Sequence, residues 1–172
     1  MGVEGSDPES ASFDAFVRAH ARSLFGTAVL LCGDSATAED LVQDTLTRTF
    51  ERWPAVVGAR SSVAYVRRIL VRRFIDTTRG PRGRVLLLRD IAEPISDVDL
   101  GDAMAAKELV GQLLAELDER PRAALVLKYL YDWPDEQIAE AIGCRPATVR
   151  SLTRRALLSL RGIALADREA TS

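Results

Sequence analysis

The chain has 172 residues and a formal net charge of −2, with 47% hydrophobic and 28% charged residues. This composition is typical of a folded protein and excludes a chain that is disordered throughout. The near-zero charge is a sum of opposed blocks: residues 60–89 contain nine arginines and one acid, and residues 90–119 contain nine acids and one base. The sequence therefore predicts a local basic surface of the kind that binds nucleic acid.

The inventory of reactive groups argues against an enzyme. The single histidine, His20, lies on the apolar face of a predicted helix, where we expect it to be packed. Cys32 and Cys144 lie far apart and without CxxC spacing, so neither a disulfide framework nor a zinc site is predicted. The sequence shows no phosphate-binding loop and no nucleophile elbow. We therefore expect no catalytic residue, no metal and no cofactor.

The sequence also lacks membrane and export signals. No apolar run approaches the roughly 18 residues that a membrane span requires. The first ten residues, MGVEGSDPES, are acidic and polar and have no apolar core, unlike a signal peptide. We expect a soluble, cytoplasmic protein.

The N-terminal half predicts a helix that follows a disordered tail at residues 1–11. Ser12 is a suitable N-cap for this helix. Helical spacing then continues through Phe13, Phe16, Val17, His20, Leu24, Ala28 and Leu31. Residues 33–35, Gly-Asp-Ser, end this first helix.

A second helix is predicted to be capped by Ser35 or Thr37 and to run to Trp53, where Pro54 ends it. A loop over residues 55–61 follows. The third predicted helix buries Val63, Val66, Ile69, Leu70 and Phe74 and turns its arginines outward.

Residues 80–83, Gly-Pro-Arg-Gly, are strong turn formers and separate this half from the rest of the chain. Helical spacing resumes at Met104, and Pro121 is predicted to open a further helix. The predicted fold is all-α, with two small helical domains joined by a flexible linker. Residues 12–79 form the first domain, 80–105 the linker, 106–163 the second domain and 164–172 a tail.

The second domain ends in a predicted helix-turn-helix. A small residue at the crossing, a turn residue four positions later and an apolar anchor six beyond it match Ala139, Gly143 and Val149. Pro146 suits the first turn of the second helix. From Cys144 to Gly162 there is no acid, and there are five arginines: Arg145, Arg150, Arg154, Arg155 and Arg161. The alternative is an ordinary helical hairpin with a solvated basic face.

The aromatic side chains are predicted to lie in the cores, because each domain is near the size at which a single core is only marginally stable. They are Trp53, Tyr65 and Phe74 in the first domain and Tyr129, Tyr131 and Trp133 in the second. For Tyr65 the alternative is stacking on an unpaired base.

Three segments in order resemble a known family: AEDLVQDTLTRTFERW at residues 38–53, AYVRRILVRRFIDTTR at 64–79 and ATVRSLTRRALLSLR at 147–161. The chain resembles bacterial RNA polymerase sigma factors of the extracytoplasmic-function (ECF) group, in the sigma-70 superfamily, and most resembles an actinobacterial branch. The resemblance makes the first domain sigma region 2 and the second sigma region 4.

The resemblance implies that the second helix docks on the coiled coil of the polymerase β′ subunit. The implied docking residues are Asp40, Leu41, Gln43, Asp44 and Arg48. Their acids have a simpler alternative explanation, since acidic residues are favourable in the first turn of any helix.

The resemblance further implies two DNA-binding surfaces. The third helix and the loop before it, residues 56–62, would melt the −10 element and receive a flipped base, with the candidates Arg60, Tyr65, Arg67, Arg68, Arg72, Arg73 and Arg79. The helix-turn-helix would read the −35 element, with the candidates Arg145, Thr148, Arg150, Ser151, Arg154 and Arg155. The implied partners are core polymerase, through its β′ coiled coil and β flap, promoter DNA and an anti-sigma factor. The free chain would be a monomer.

The alternative function is a stand-alone helix-turn-helix regulator with an N-terminal dimerisation or sensing domain. Such a regulator would bind its operator alone, as a dimer. A sigma factor would be monomeric and would need polymerase.

The acids of the linker, Asp90, Glu93, Asp97, Asp99 and Asp102, have two possible roles. By family analogy they run through the basic RNA path of polymerase. In the competing hypothesis they shield the arginine block when the factor is free. If they shield it, neutralising all five to Asn or Gln raises DNA binding by the isolated protein in a titration at matched salt. An unchanged affinity would count against shielding.

Overall fold

A computed structural model describes residues 8–78 and 101–170, and within them the protein is all-α, as predicted. The eight helices are α1 (Pro8–Cys32), α2 (Ser35–Glu51), α3 (Trp53–Val57), α4 (Ser62–Thr78), α5 (Gly101–Ala115), α6 (Glu119–Tyr131), α7 (Asp135–Ile142) and α8 (Pro146–Ala170). The predictions made for residues 1–7, for most of the linker with its acids Asp90 to Asp99, and for Arg79 lie outside the described residues.

The first two helices begin differently from the prediction. Helix α1 starts at Pro8, so Ser12 lies inside the helix and does not cap it. Proline is tolerated in a first helical turn, where its missing N–H has no partner to lose. Helix α2 is capped by Asp34, whose carboxylate accepts a hydrogen bond of 2.8 Å from the backbone N–H of Thr37. Asp34 lies one residue before Ser35 and is an equally good N-cap, so Ser35 is the first helical residue and not the cap.

The first part of the predicted loop after α2, residues 55–57, is helical. Helix α2 ends at Glu51, and Pro54 lies in the first turn of α3, where proline is favoured. Val56 of this short helix is fully buried and fixes α3 against the domain. Only residues 58–61 remain as a connection to α4.

The C-terminal helices are longer than predicted. Helix α5 already begins at Gly101, and α6 begins at Glu119, two residues before Pro121. Helix α8 continues to Ala170, so residues 164–170, predicted as a tail, are helical. Gly162 did not end the helix, because an isolated glycine inside a helix costs only about 1 kcal/mol.

The N-terminal helices α1–α4 pack around the apolar faces that the periodicity predicts. Leu24, Leu31, Val66 and Leu70 are among the fully buried side chains. Trp53 is 4% exposed, and its ring meets that of Phe16 edge to face with centroids 5.4 Å apart. His20 lies against the same Phe16 ring at 4.7 Å, as expected for a packed histidine.

The C-terminal helices α5–α8 bury Leu127, Ile138, Ile142 and Val149. Phe74 and Trp133 are buried, as predicted for core aromatics. Tyr129, by contrast, is 65% exposed, so its prediction as a core residue was wrong. It follows Lys128 on the outward side of α6, because the inward positions of that helix are taken by Ala123 to Leu127.

The two groups of helices pack directly on each other through a close crossing of α1 and α5. Gly33 adopts a left-handed φ of +83° at the end of α1 and lies against Gly111 of α5. A methyl group added at Gly111 would lie 2.6 Å from the Val29 carbonyl oxygen and 3.0 Å from the Cα of Gly33. Backbone atoms cannot yield as a flexible side chain can. The crossing therefore needs glycine at position 111.

The buried side chain of Arg122 links the C-terminal helices α5–α8 to the N-terminal helices α1–α4. Its side chain is 4% exposed and donates hydrogen bonds to the carbonyls of Leu31 at 2.6 Å, Ala115 at 2.8 Å and Leu117 at 2.7 Å. Burial lowers the pKa of the Arg122 guanidinium, and the nearby Glu119 opposes that effect. Leu31 and Ala115 are at the ends of α1 and α5, where backbone carbonyls have no partner within their own helix.

We expect Arg122→Met to destabilise the chain by about 3 kcal/mol or more, because buried carbonyls that lose a charged donor are left unsatisfied. Urea unfolding followed by circular dichroism measures the change. The matched control is Arg154→Met, at an exposed position, which should change stability by less than about 0.5 kcal/mol. Equal stability of the two variants would contradict the capping role of Arg122.

Candidate nucleic-acid interface

The helix-turn-helix forms as the spacing predicts, from α7 and α8. Gly143 ends α7 with a left-handed φ of +71°. The backbone N–H groups of Gly143 and Cys144 both donate to the carbonyl of Ala139, at 2.9 and 3.0 Å, which closes the turn. Pro146 is the first residue of α8. Ala139 is 3% exposed and Val149 fully buried, so the small residue and the apolar anchor occupy the crossing.

Helix α8 has one buried face and one cationic face. Val149, Leu152, Thr153 and Ala156 are buried against α6 and α7. The opposite side exposes Arg145, Arg150, Ser151, Arg154 and Arg155, while Thr148 is half-buried. The structure therefore brings the predicted −35 residues together on one end of one helix.

Arg150 is oriented by a residue that the sequence reading missed. Asp135, in the first turn of α7, is only 15% exposed at its side chain. It pairs with Lys128 at 3.0 Å and with Arg150 at 3.5 Å. An acid in a first turn is also what the helix dipole favours, so the sequence pattern could not distinguish this orienting role.

An open groove between α6 and α8 continues the cationic face of α8. It is lined by Lys128, Tyr129, Arg150, Arg154, Leu157 and Leu158. Tyr129, Leu157 and Leu158 are large apolar side chains that remain exposed. This mixed surface was not predicted, because Leu157 and Leu158 fell outside the apolar stripe used to define the buried face.

Three of the four arginines of α4 contact the C-terminal helices. The Arg67 guanidinium lies 3.8 Å from the ring centroid of Tyr131. Arg68 pairs with Glu140 of α7 at 2.9 Å. The guanidinium of Arg72 lies against Gly143, so close that an added methyl there would be 2.6 Å from its Nη1.

The remaining predicted −10 residues lie nearby. Arg60 is exposed in the connection between α3 and α4. Tyr65 is half-buried at the start of α4, and the Arg68 guanidinium lies 5.4 Å from its ring centroid. Arg73 points the other way and donates through Nε to Asp44 of α2.

The predicted docking residues of α2 divide into two groups. Asp40 and Gln43 are exposed, as a docking surface requires. Leu41 is 7% exposed, so its side chain belongs to the core. Asp44 accepts hydrogen bonds from Arg73 and, at 3.4 Å, from Arg48, and therefore links α2 to α4.

Across residues 8–78 and 101–170, no group of three or more metal-ligating side chains is found. Within the same ranges, none of the helices is long and apolar enough to cross a membrane.

Burial raises the pKa of the Cys32 thiol to about 12, which makes it a poor nucleophile at neutral pH.

Family models match both halves of the chain in order. The model described as Sigma-70 region 2 matches residues 16–84, and the model described as Sigma-70, region 4 matches residues 107–160. The region 2 match thus takes in most of α1 and all of α2–α4, and the region 4 match takes in the C-terminal part of α5, from residue 107, all of α6 and α7, and α8 as far as residue 160.

Known proteins are similar over most of the chain. An RNA polymerase sigma-E factor of Streptomyces avermitilis is 31% identical over 157 residues, covering 89% of this chain and 85% of that protein. The ECF RNA polymerase sigma factor SigL of Mycobacterium tuberculosis is 32% identical over 158 residues, covering 89% of each.

Two solved structures share the fold. CnrH, in a complex with the cytosolic domain of CnrY, superimposes with a TM-score of 0.65 at 20% identity, covering 91% of this chain and 90% of that one. The sigma factor RpoE of Bartonella quintana, in a complex with the anti-sigma factor NepR, gives a TM-score of 0.68 at 24% identity, covering 91% and 98%. Together with the two region models and the relatives above 30% identity, these findings show that the chain belongs to the ECF sigma factors of the sigma-70 family.

Proposed function

We propose that this chain binds core RNA polymerase and directs it to promoters, where it supports −10 melting and the initiation of transcription. The observation that carries the proposal is the order of three elements along the chain: α2, α4 and the helix-turn-helix. A helix with exposed carboxylate and amide groups, α2, adjoins an arginine-rich helix, α4, and a cationic helix-turn-helix follows in a separate sigma region. Bond chemistry belongs to the polymerase, and the chain supplies binding and specificity in the bacterial cytoplasm.

Docking on polymerase is assigned to the exposed part of α2. Asp40 and Gln43 would contact the β′ coiled coil directly. Asp44 and Arg48 would support this surface through the link from Asp44 to Arg73, because that link fixes α2 relative to the DNA-facing helix α4. Leu41 would act only by holding the helix in the core.

Reading of the −35 element is assigned to the exposed face of α8. Arg154 lies opposite the buried stripe of Val149, Leu152 and Ala156, so it would point most directly into the major groove. Arg150 lies at the side of that face, where Asp135 holds it, and would contact the phosphate backbone.

Melting of the −10 element is assigned to α4 and residues 58–61. Arg60 and Tyr65 lie at the entrance to α4 and would contact an unpaired base. Arg67, Arg68 and Arg72 would hold the phosphates of the melted strand. An anti-sigma factor would control the chain, since a solved relative of the same fold is a sigma factor bound to one.

The stand-alone regulator is the alternative. No observation favours it, because both family regions are those of a sigma factor. It remains distinguishable by its oligomeric state and by its independence of polymerase.

Gel filtration with and without bacterial core polymerase tests the proposal. We expect a monomer alone and one-to-one co-elution with core. Asp40→Lys should abolish co-elution, because it reverses an exposed charge without touching the link between α2 and α4. Glu51→Lys, exposed at the other end of α2, is the matched control and should still bind. A dimer that does not bind core would favour the stand-alone regulator.

Alanine variants of α8 should separate base contacts from phosphate contacts. Arg154→Ala should relax the preference for one promoter base pair, losing about 1–3 kcal/mol of discrimination. Arg150→Ala should weaken binding to all duplexes equally and lower the salt slope by about 1. Duplex titrations at several salt concentrations measure both effects, with Arg18→Ala, exposed on α1, as control. Identical behaviour of the two α8 variants would refute these assignments.

A further inference from the structure

A carboxylate lies beside the cationic face of α8. Asp135 is the first residue of α7, and its side chain is only 15% exposed. Its Oδ1 accepts a hydrogen bond from the Lys128 ammonium at 3.0 Å, and its Oδ2 accepts one from Nη1 of Arg150 at 3.5 Å. One acid on α7 therefore joins α6 to α8.

An acid at this position opposes DNA binding, because a carboxylate near a duplex repels the phosphates. It also offsets the charge of Lys128 and Arg150, which line the groove between α6 and α8. An acid in a first turn does stabilise its helix through the dipole. Glu136 supplies that benefit from an exposed position in the same turn, without contact to Arg150 being required for it. Stabilisation of α7 therefore does not explain why Asp135 is paired with a residue of the DNA-facing helix.

The contact restricts Arg150 without exhausting its donors. The Arg150 side chain is 66% exposed, and a guanidinium has five N–H donors, of which Asp135 takes one. The other donors remain available to a phosphate, so Arg150 can bind DNA while Asp135 holds it. A side chain held in advance loses less conformational entropy on binding. It also reaches only those phosphates that lie at one place relative to α8.

We propose that Asp135 is a positioning residue that raises the sequence specificity of α8 and lowers its affinity for DNA in general. The proposal rests on the assignment of α8 to the −35 element made above. On the preferred duplex, base contacts fix the register of α8, and the held Arg150 meets its phosphate without further ordering. On any other duplex the register is not fixed, and a held arginine cannot follow the phosphates. Without Asp135, a mobile Arg150 strengthens binding mainly to the wrong sequences.

The test uses the full chain and two labelled duplexes in fluorescence anisotropy. One duplex carries the sequence that the wild-type chain selects from a randomised library, and the other carries a scrambled version of it. Asp135→Asn removes the charge and keeps the shape of the side chain. Asp135→Ala removes the hydrogen-bond acceptors as well. Circular dichroism establishes that the helices remain in both variants.

We expect Asp135→Asn to raise affinity for the scrambled duplex about twofold to fivefold, the size of one charge interaction at a hydrated surface. Affinity for the selected duplex should stay within about twofold, because the entropy lost in ordering Arg150 offsets the relief of repulsion. The preference of the chain for its selected sequence therefore falls about twofold to fivefold. Asp135→Ala should lower this preference at least as much.

Glu136→Gln is the matched control. It removes the same charge from the next residue of α7, where the side chain is exposed. It should change the affinities for the two duplexes by the same factor and leave the preference unaltered. In a chain that carries Arg150→Ala, Asp135→Asn should also leave the preference unaltered, because the side chain that it positions is gone.

Nitrogen-15 relaxation of the arginine side chains measures the positioning itself. The Nε–H signal of Arg150 is identified by its absence from Arg150→Ala. Its order parameter should fall in Asp135→Asn and Asp135→Ala and stay unchanged in Glu136→Gln. An acid that merely stabilised the start of α7 would not produce this difference.

Three results would overturn the proposal. One is an Arg150 Nε–H group that is as ordered in both Asp135 variants as in the wild type. Another is an equal gain for the two duplexes in Asp135→Asn. The third is a fall in preference that persists when Arg150→Ala is present.

Arg154→Ala separates this proposal from the proposed function. If that variant binds both duplexes as the wild type does, or if the wild type selects no sequence, the assignment of α8 to the −35 element is rejected and this proposal with it. The three results above reject the role of Asp135 alone and leave that assignment in place.

Discussion

The buried guanidinium of Arg122 is the constraint on which the arrangement of the two sigma regions depends. Helix ends leave backbone carbonyls without partners, and the negative end of a helix dipole attracts a cation. Arg122 satisfies the carbonyls of Leu31 in α1 and of Ala115 in α5 at once, together with that of Leu117. Because a cation so deeply buried needs every one of these partners, the two helix ends and α6 are held in one geometry.

That geometry determines what region 4 can contact. With the end of α1 held by Arg122 and crossed by α5 at Gly111, α6 and α7 lie over the arginine side of α4. Tyr131, Glu140 and the Gly143 turn then meet three successive arginines of that side. Helix α8 is left on the outside, where Arg150, Arg154 and Arg155 are exposed. The arginine side of α4 and the cationic face of α8 thus differ in accessibility because of how two helix ends are joined.

Region 2 has its own internal link, between α2 and α4. Asp44, on the helix assigned to polymerase, accepts hydrogen bonds from Arg73 of the helix assigned to the −10 element and from Arg48. A carboxylate with two cationic partners is satisfied and does not need an external one. Docking through Asp40 and Gln43 would therefore act on a helix that is already tied to α4.

The sequence alone was sufficient for the all-α class, for the helix-turn-helix with Ala139, Gly143 and Val149, and for the cationic face of α8, because helical periodicity and turn chemistry are local properties. It also carried the family, through three segments whose order is specific. It placed helix starts and ends less well: α1 begins at Pro8, α2 is capped by Asp34 and α8 ends at Ala170. For α2, a cap one residue earlier than Ser35 competes equally. Only the tertiary structure decided that Leu41 is core, that Asp44 joins two helices and that Arg67, Arg68 and Arg72 are covered by region 4. These outcomes depend on contacts between residues far apart in the chain, such as Arg122 with Leu31 and Gly111 with Gly33, and no periodicity in the sequence encodes which distant residue a side chain will meet.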